Sequence, residues 1–245
     1  MNKLLQYMLV EKLKLKRTFA PRMTWLMPAL TLLIAFLLMG GRLFQTGAYN
    51  WWYVIMLPGA TTLFCTLVVQ KDANMKFQGV LALPVDPRKL WLGKALLCMV
   101  WLLTVCLIFF VGAMLGGLWL GQTILPAQGL MASVLLAVTF AWQIPLCLFL
   151  AVTCGMFMTI LINLAGNIVL GILFATREIW WVVPYAIPIR LMCPVLEILP
   201  NGIPAEAGDP LLAWGVILPG VLESLALCGV LLWLTAQWFS KREAL

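Results

Sequence analysis

The chain has no histidine, and only 10% of its 245 residues are charged. Without imidazole, histidine-based acid–base catalysis and most zinc sites are excluded. The seven cysteines form no C-x-x-C pair and nearly all sit inside apolar runs, where cysteine behaves as a small buried hydrophobe. No G-x-x-x-x-G-K-[ST] occurs. Gly93-Lys94 lacks both the earlier glycine and the following hydroxyl residue, so the chain does not hydrolyse ATP by that route. No Ser/His/Asp or Cys/His set exists. The net charge of +7 needs no nucleic acid to explain it, because membrane orientation accounts for it.

What is present is hydrocarbon. Hydrophobic residues make up 64% of the chain, and the mean hydropathy is +1.03. Soluble domains carry about 25% charge and about 45–50% apolar residues. No soluble core hides this much apolar surface, so the solvent is a bilayer. The expectation is an all-α membrane protein of six transmembrane helices, one membrane domain and no soluble domain. Charge is strewn through the first 22 residues and no small-residue cleavage site follows, so no cleavable signal is expected.

Residues 1–22 place Lys3, Lys12, Lys14, Lys16, Arg17 and Arg22 among leucines and predict an interfacial helix on an anionic leaflet. The six-helix domain then occupies 23–245. Crossings are expected at 23–39, with Thr24 as cap and Gly40-Gly41 as stop, and at 51–69, 90–118, 128–152, 155–175 and 212–239. Residues 42–50 read as a short loop. Trp51, Trp52 and Tyr53 read as an aromatic belt, and Pro58-Gly59 as a bend. Gly112-x-x-x-Gly116 and Gly117-x-x-x-Gly121 read equally as a packing seam or as ordinary membrane-helix glycines. No internal repeat is found.

Two long connections remain, at 70–94 and 176–211. Of the sixteen basic residues, thirteen lie in the N-terminal segment, the first of these loops and the C-terminus. Both termini and loop 70–94 are therefore expected in the cytoplasm, with 176–211 outside. The outer loop holds Trp180, Trp181 and six prolines, which rules out one long helix but suits short re-entrant or interfacial pieces. Within loop 70–94, residues 71–82 read as a short amphipathic helix with Phe77, Val80 and Leu81 as a docking face, a lever for a soluble partner. The plainer reading is a solvated connection. Glu223, the one acid deep in a crossing, is either a structural or partner-subunit contact or a transport group.

At this loop the chain resembles the membrane subunits of type-2 ABC exporters. Those show an acid, a coupling helix and an "L-x-x-P-V-[SD]-x-x-x-[IL]-x-x-G-K" stretch; here stand Asp72, then Leu81, Pro84, Val85, Asp86, Leu90, Gly93 and Lys94. The acid is Asp where Glu is usual, and the Gly-Thr that often follows is absent. The chain also looks like the lantibiotic-immunity permeases of the MutE/EpiE family, through Glu11–Phe19, Asn50-Trp51-Trp52-Tyr53 with Leu57-Pro58-Gly59, and Leu199–Pro210. The resemblance implies a permease without enzymatic activity, working with an ABC ATPase dimer that binds the ATP and Mg, and with a sister permease. The chain itself would hold no cofactor and no metal. The cargo would be a lantibiotic expelled from the plasma membrane of a Gram-positive cell. It also implies that Lys71, Asp72, Lys76, Phe77, Val80 and Leu81 couple to the ATPase, and that Trp180, Trp181, Asn201, Glu206 and Asp209 face the peptide. Rival readings are a permease for another drug or lipid, an intramembrane enzyme using Glu223 or a cysteine, and a passive assembly subunit.

Overall fold

In hydrocarbon every backbone N–H and C=O must be satisfied within the chain, so apolar runs of this length become helices. The structure, a computed structural model, describes residues 3–75, 77, 86–206 and 208–241. Among them no strand occurs, and the one extended pairing is an isolated bridge between Ile198 and Pro204. The helices are α1 (Lys3–Leu15), α2 (Ala20–Met39), α3 (Phe44–Trp51), α4 (Leu57–Asn74) and α5 (Pro87–Leu120). They continue as α6 (Pro126–Phe140), α7 (Gln143–Thr153), α8 (Gly155–Ala165), α9 (Ile172–Ala175), α10 (Ala186–Leu196) and α11 (Ile217–Ser240). Among the described residues five stretches are long and apolar enough to cross a membrane, and the pair α6–α7, bent by 43°, is a sixth when taken as one broken span.

The first span begins at Ala20 rather than 23, and Thr24 is not its cap. The Thr18 hydroxyl accepts from Ala20 N, while Thr24 accepts from the Trp101 indole at 3.0 Å. Gly40 and Gly41 end it as expected, Gly41 with φ of +63°.

The second span is the largest departure. Residues 42–50 are not a loop: a continuous helical stretch runs Gly41–Asn74. Trp52 and Tyr53 are not a belt at the membrane surface but are fully buried, Trp52 stacked on Phe109 at 4.5 Å between centroids. Pro58 lies inside this stretch. Its ring would clash with the carbonyl of Val54, and the helix relieves this by widening into a π-helical segment, Trp52–Met56. Pro145 acts similarly on the fourth span. The break falls at Ala141–Trp142, four residues ahead of the ring.

The glycines of α5 form a packing seam. A Cβ at Gly112 would lie 2.4 Å from Leu32 of α2, and one at Gly116 or Gly117 would strike Phe44 or Gln45 of α3. Gln45 also accepts from the backbone N–H of Thr123 and Ile124, pinning the α5–α6 turn. α1 crosses α5 at Gly93, where a Cβ would meet Tyr7 Cβ at 2.8 Å and Met8 N at 3.2 Å. Gly93→Val is expected to displace α1 and to cost about 1–3 kcal/mol. Gly59→Ala, with nothing within 4 Å, serves as control. Thermal unfolding of the purified protein checks this, and equal shifts for the two variants would contradict it.

The loop 176–211 contains one of the short pieces expected of it. All eleven residues of α10 are buried, packed against α6, α9 and α11. It is a re-entrant piece inside the bundle.

Candidate functional site

The amphipathic pattern of α1 puts Glu11 and Lys14 on one face, three residues apart. α1 lies over the start of α5 and the end of α4, so this face meets Lys94 and Asp72. Lys94 Nζ lies 2.5 Å from Glu11 Oε2 and 2.5 Å from Asp72 Oδ2. Lys14 Nζ lies 2.7 Å from Glu11 Oε1 and 3.2 Å from Asp72 Oδ2. The four groups close a ring of alternating sign that ties three helices together. Lys94 is 0% exposed, Glu11 1% and Asp72 3%, so these three are inside the protein, while Lys14 closes the ring from its half-buried edge. Burial pulls the Lys14 ammonium down, but hydrogen bonding to Glu11 and the charges of Glu11 and Asp72 outweigh it and raise its pKa. Three buried charges persist because each is paired and, with Lys14, the sum is zero.

Aromatic side chains clasp the same end to the last helix. Trp91 stacks on Phe239 at 4.7 Å and donates its indole N–H to Thr235 at 3.0 Å. Phe77, at φ of +59°, buries its ring edge-on against Phe239. The Phe77 N–H bonds back to the carbonyl of Asp72 at 2.8 Å and terminates α4.

These contacts correct part of the coupling reading. Lys71–Asn74 are the last turn of α4 rather than the start of a separate helix. Asp72 and Phe77 are buried and partnered within the chain; they position this end and offer no surface for docking. Lys71 is exposed beside Asn74 and Met75. Lys76, Val80 and Leu81 lie outside the described residues, as does half of the expected amphipathic helix. Asp86 caps α5 through Arg88 N, and the hydrogen bond from Lys89 followed by that from Arg88 N holds its carboxyl below the usual range. A cavity of about 250 Å³ opens between α4 (Thr66, Gln70, Asn74) and the α7–α8 turn (Val152, Gly155, Met156).

Midway along the bundle, a polar cluster links α4 to α7 and α8. The Gln143 carbonyl oxygen accepts from Asn163 at 2.9 Å and from Asn167 at 3.1 Å, and its amide donates to Asn167 at 3.0 Å. Asn163 also donates to Thr62 at 2.8 Å. All four residues are buried, and Asn163 Oδ1 has no hydrogen-bond partner among the described residues.

At the end of the bundle away from the quartet, a cleft of about 560 Å³ is lined by Asn50, Thr176, Asn201 and Asp209 among apolar neighbours. Asn50 donates to the Pro200 carbonyl at 2.9 Å, and Gly202 packs on Asn50, which holds the loop beside the second span. Asp209 accepts from Leu211 N at 2.8 Å. The buried Arg190 guanidinium donates to the carbonyls of Leu211 and Pro210 from beneath. Asn201 and Asp209 thus line one cleft; Trp180, Trp181 and Glu206 are not among the residues lining it. Glu223 is half-buried on α11 and makes no hydrogen bond or ion pair with another described residue.

Long apolar spans joined by a buried ionic base define a helical, multi-pass membrane protein. The family model described as ABC-2 family transporter protein matches residues 7–176, and the chain belongs to that family. It is a permease subunit of an ABC exporter, and works with an ABC ATPase subunit. The matched stretch contains the quartet and the α7–α8 turn; residues 177–245 lie outside it. No curated protein and no solved structure matches the chain.

Proposed function

We propose that this permease expels lantibiotics or related antimicrobial peptides from the plasma membrane of a Gram-positive cell. In this reading the quartet end and both termini face the cytoplasm, which the concentration of basic residues at that end supports. The observation that carries the cargo assignment is the cleft at the opposite end. Its carboxylate, Asp209, sits with three amide or hydroxyl side chains beside apolar walls, a lining suited to an amphipathic peptide bearing basic groups. Glu178, Glu197 and Glu206 are exposed at the same end, where only Arg42 and Arg177 are exposed bases. In this reading Trp180, Trp181 and Glu206, which do not line the cleft, meet the peptide before it enters.

The exposed end of α4, with Lys71, and the α7–α8 turn receive the ATPase, together with Lys76, Val80 and Leu81. Asp72 and Phe77 hold that surface in register. ATP and Mg bind on the ATPase, a sister permease completes the membrane domain, and Glu223 on α11 meets that sister. The experiment is a complementation assay in a strain lacking this chain. Asp209→Asn keeps an oxygen for Leu211 N but removes the charge, and is expected to lower lantibiotic resistance about fivefold or more. Lys71→Glu is expected to reduce recovery of the ATPase in pull-downs. Wild-type resistance to the lantibiotics, with lost resistance to an unrelated drug, would overturn the cargo assignment.

A further inference from the structure

Two cavities lie end to end along the junction of α2 and α5. The first, about 510 Å³, is lined by Trp25, Pro28, Leu32, Ile108, Gly112 and Leu115. The second, about 260 Å³, is lined by Lys12, Leu15, Thr24, Phe64, Trp101 and Thr104. Thr104 belongs to both walls, so the two adjoin along α5 and are treated together as a crevice. Its floor is rigid: Trp101 stacks on Phe64 at 4.2 Å between centroids and is held by its hydrogen bond to Thr24. From Leu97 to Leu115 the crevice follows α5 for about 27 Å at about 1.5 Å per residue, close to the thickness of the hydrocarbon core. The portion from Leu97 to Ile108, about 16 Å, matches one leaflet.

The two ends of the crevice differ. Through its upper length the walls are almost wholly apolar. At its lower end stands Lys12, exposed, and the exposed Lys16, Arg17 and Arg22 follow close by in the chain, next to the lining residues Leu15 and Pro21. The nearest acid in sequence, Glu11, is turned away and neutralised within the ion quartet. The crevice therefore presents hydrocarbon above and uncompensated positive charge below. That polarity matches a phospholipid whose acyl chain runs along α5 and whose headgroup carries net negative charge.

We infer that the α2–α5 crevice is a binding site for one anionic phospholipid of the leaflet at the basic end, its acyl chain along Leu97–Ile108 and its phosphate on Lys12. The lipid would brace α1, and with it the quartet, against α2. This site is separate from the outer cleft and does not depend on the cargo.

The test uses the purified transporter complex, delipidated in detergent and titrated with phosphatidylglycerol or phosphatidylcholine of the same acyl chains, bound lipid being counted by native mass spectrometry. Wild type is expected to hold one phosphatidylglycerol per copy of this chain, in preference to phosphatidylcholine. Lys12→Gln is expected to weaken phosphatidylglycerol about fivefold while leaving phosphatidylcholine unchanged, one basic group's share of the attraction. Thr104→Trp, at an exposed position, fills the crevice and is expected to lose both lipids. Equal retention of the two lipids by wild type would overturn the assignment. So would unchanged binding in Thr104→Trp, or cross-linking of a cysteine at 104 to the sister permease, which would show that protein covers the crevice.

Discussion

Lys94→Met is expected to destabilise the protein by about 3–5 kcal/mol, the usual result of removing one member of a buried ion pair. The side chain is 0% exposed and its ammonium serves two carboxylates at once. Without it Glu11 and Asp72 share only Lys14, which is 28% exposed and able to reach solvent. Lys14→Met leaves the fully buried Lys94 in place, and about 1 kcal/mol is expected, nearer to an exposed pair. Glu11→Gln combined with Lys94→Met leaves Asp72 and Lys14 as a matched pair and should recover part of the loss. Thermal unfolding of the purified transporter reads all four proteins. A Lys94→Met shift no larger than that of Lys14→Met would remove the quartet as the strut between α1, α4 and α5. ATP hydrolysis by the assembled transporter should fall with Lys94→Met at temperatures below its unfolding, because the end of α4 then loses its anchor on α5.

Gln143→Leu has the second largest expected effect. Gln143 accepts from two asparagine amides and supplies the donor to Asn167 Oδ1. Leucine leaves Asn167 Oδ1 without that donor, beside an Asn163 Oδ1 that already lacks one. An unsatisfied buried polar group costs about 1–3 kcal/mol; membrane hydrogen bonds measured by double-mutant cycles average about 0.6 kcal/mol. A loss of about 1–3 kcal/mol is expected, with α4 loosened from α7 and α8. Removing both partners together, Gln143→Leu with Asn167→Leu, should be milder than their sum. Additive losses would mean that these residues do not act as one cluster.

Residue composition announced the number of spans, since runs of this hydropathy have no other stable form in a bilayer. The limits of the second span were hidden by chemistry. Gln45, Thr46 and Asn50 look like loop residues, yet Gln45 is buried against the glycines of α5 and satisfies the turn at 123–124. Trp52 and Tyr53 resembled an interfacial belt because periodicity does not report which neighbour covers a ring. The coupling loop was visible as charge, but the partners of that charge were not. Glu11 and Lys94 are 83 positions apart, beyond the reach of any local pattern. A signal was nevertheless available. Glu11 is the only acid in the first 22 residues, and Lys94 is a lone cation in an otherwise apolar run, Leu90–Leu97. A cation so placed demands a counter-ion. The turns at Asn201-Gly202 and Gly208–Pro210 were legible from their residue types; the convergence of Asn201 and Asp209 on one cleft with Asn50 was not, since it required the buried Arg190 and α10 beneath them.

The brevity of α10 bears on how the protein is made. Eleven residues reach about 16 Å, half the depth of the hydrocarbon core. Such a segment cannot be handed sideways into lipid as an independent membrane stretch during synthesis. It must tuck into a vestibule that its neighbours have already enclosed. The mouth bearing Asp209 thus depends on that seating, and a chain in which α10 has not seated would carry an intact ionic base beneath an unfinished rim.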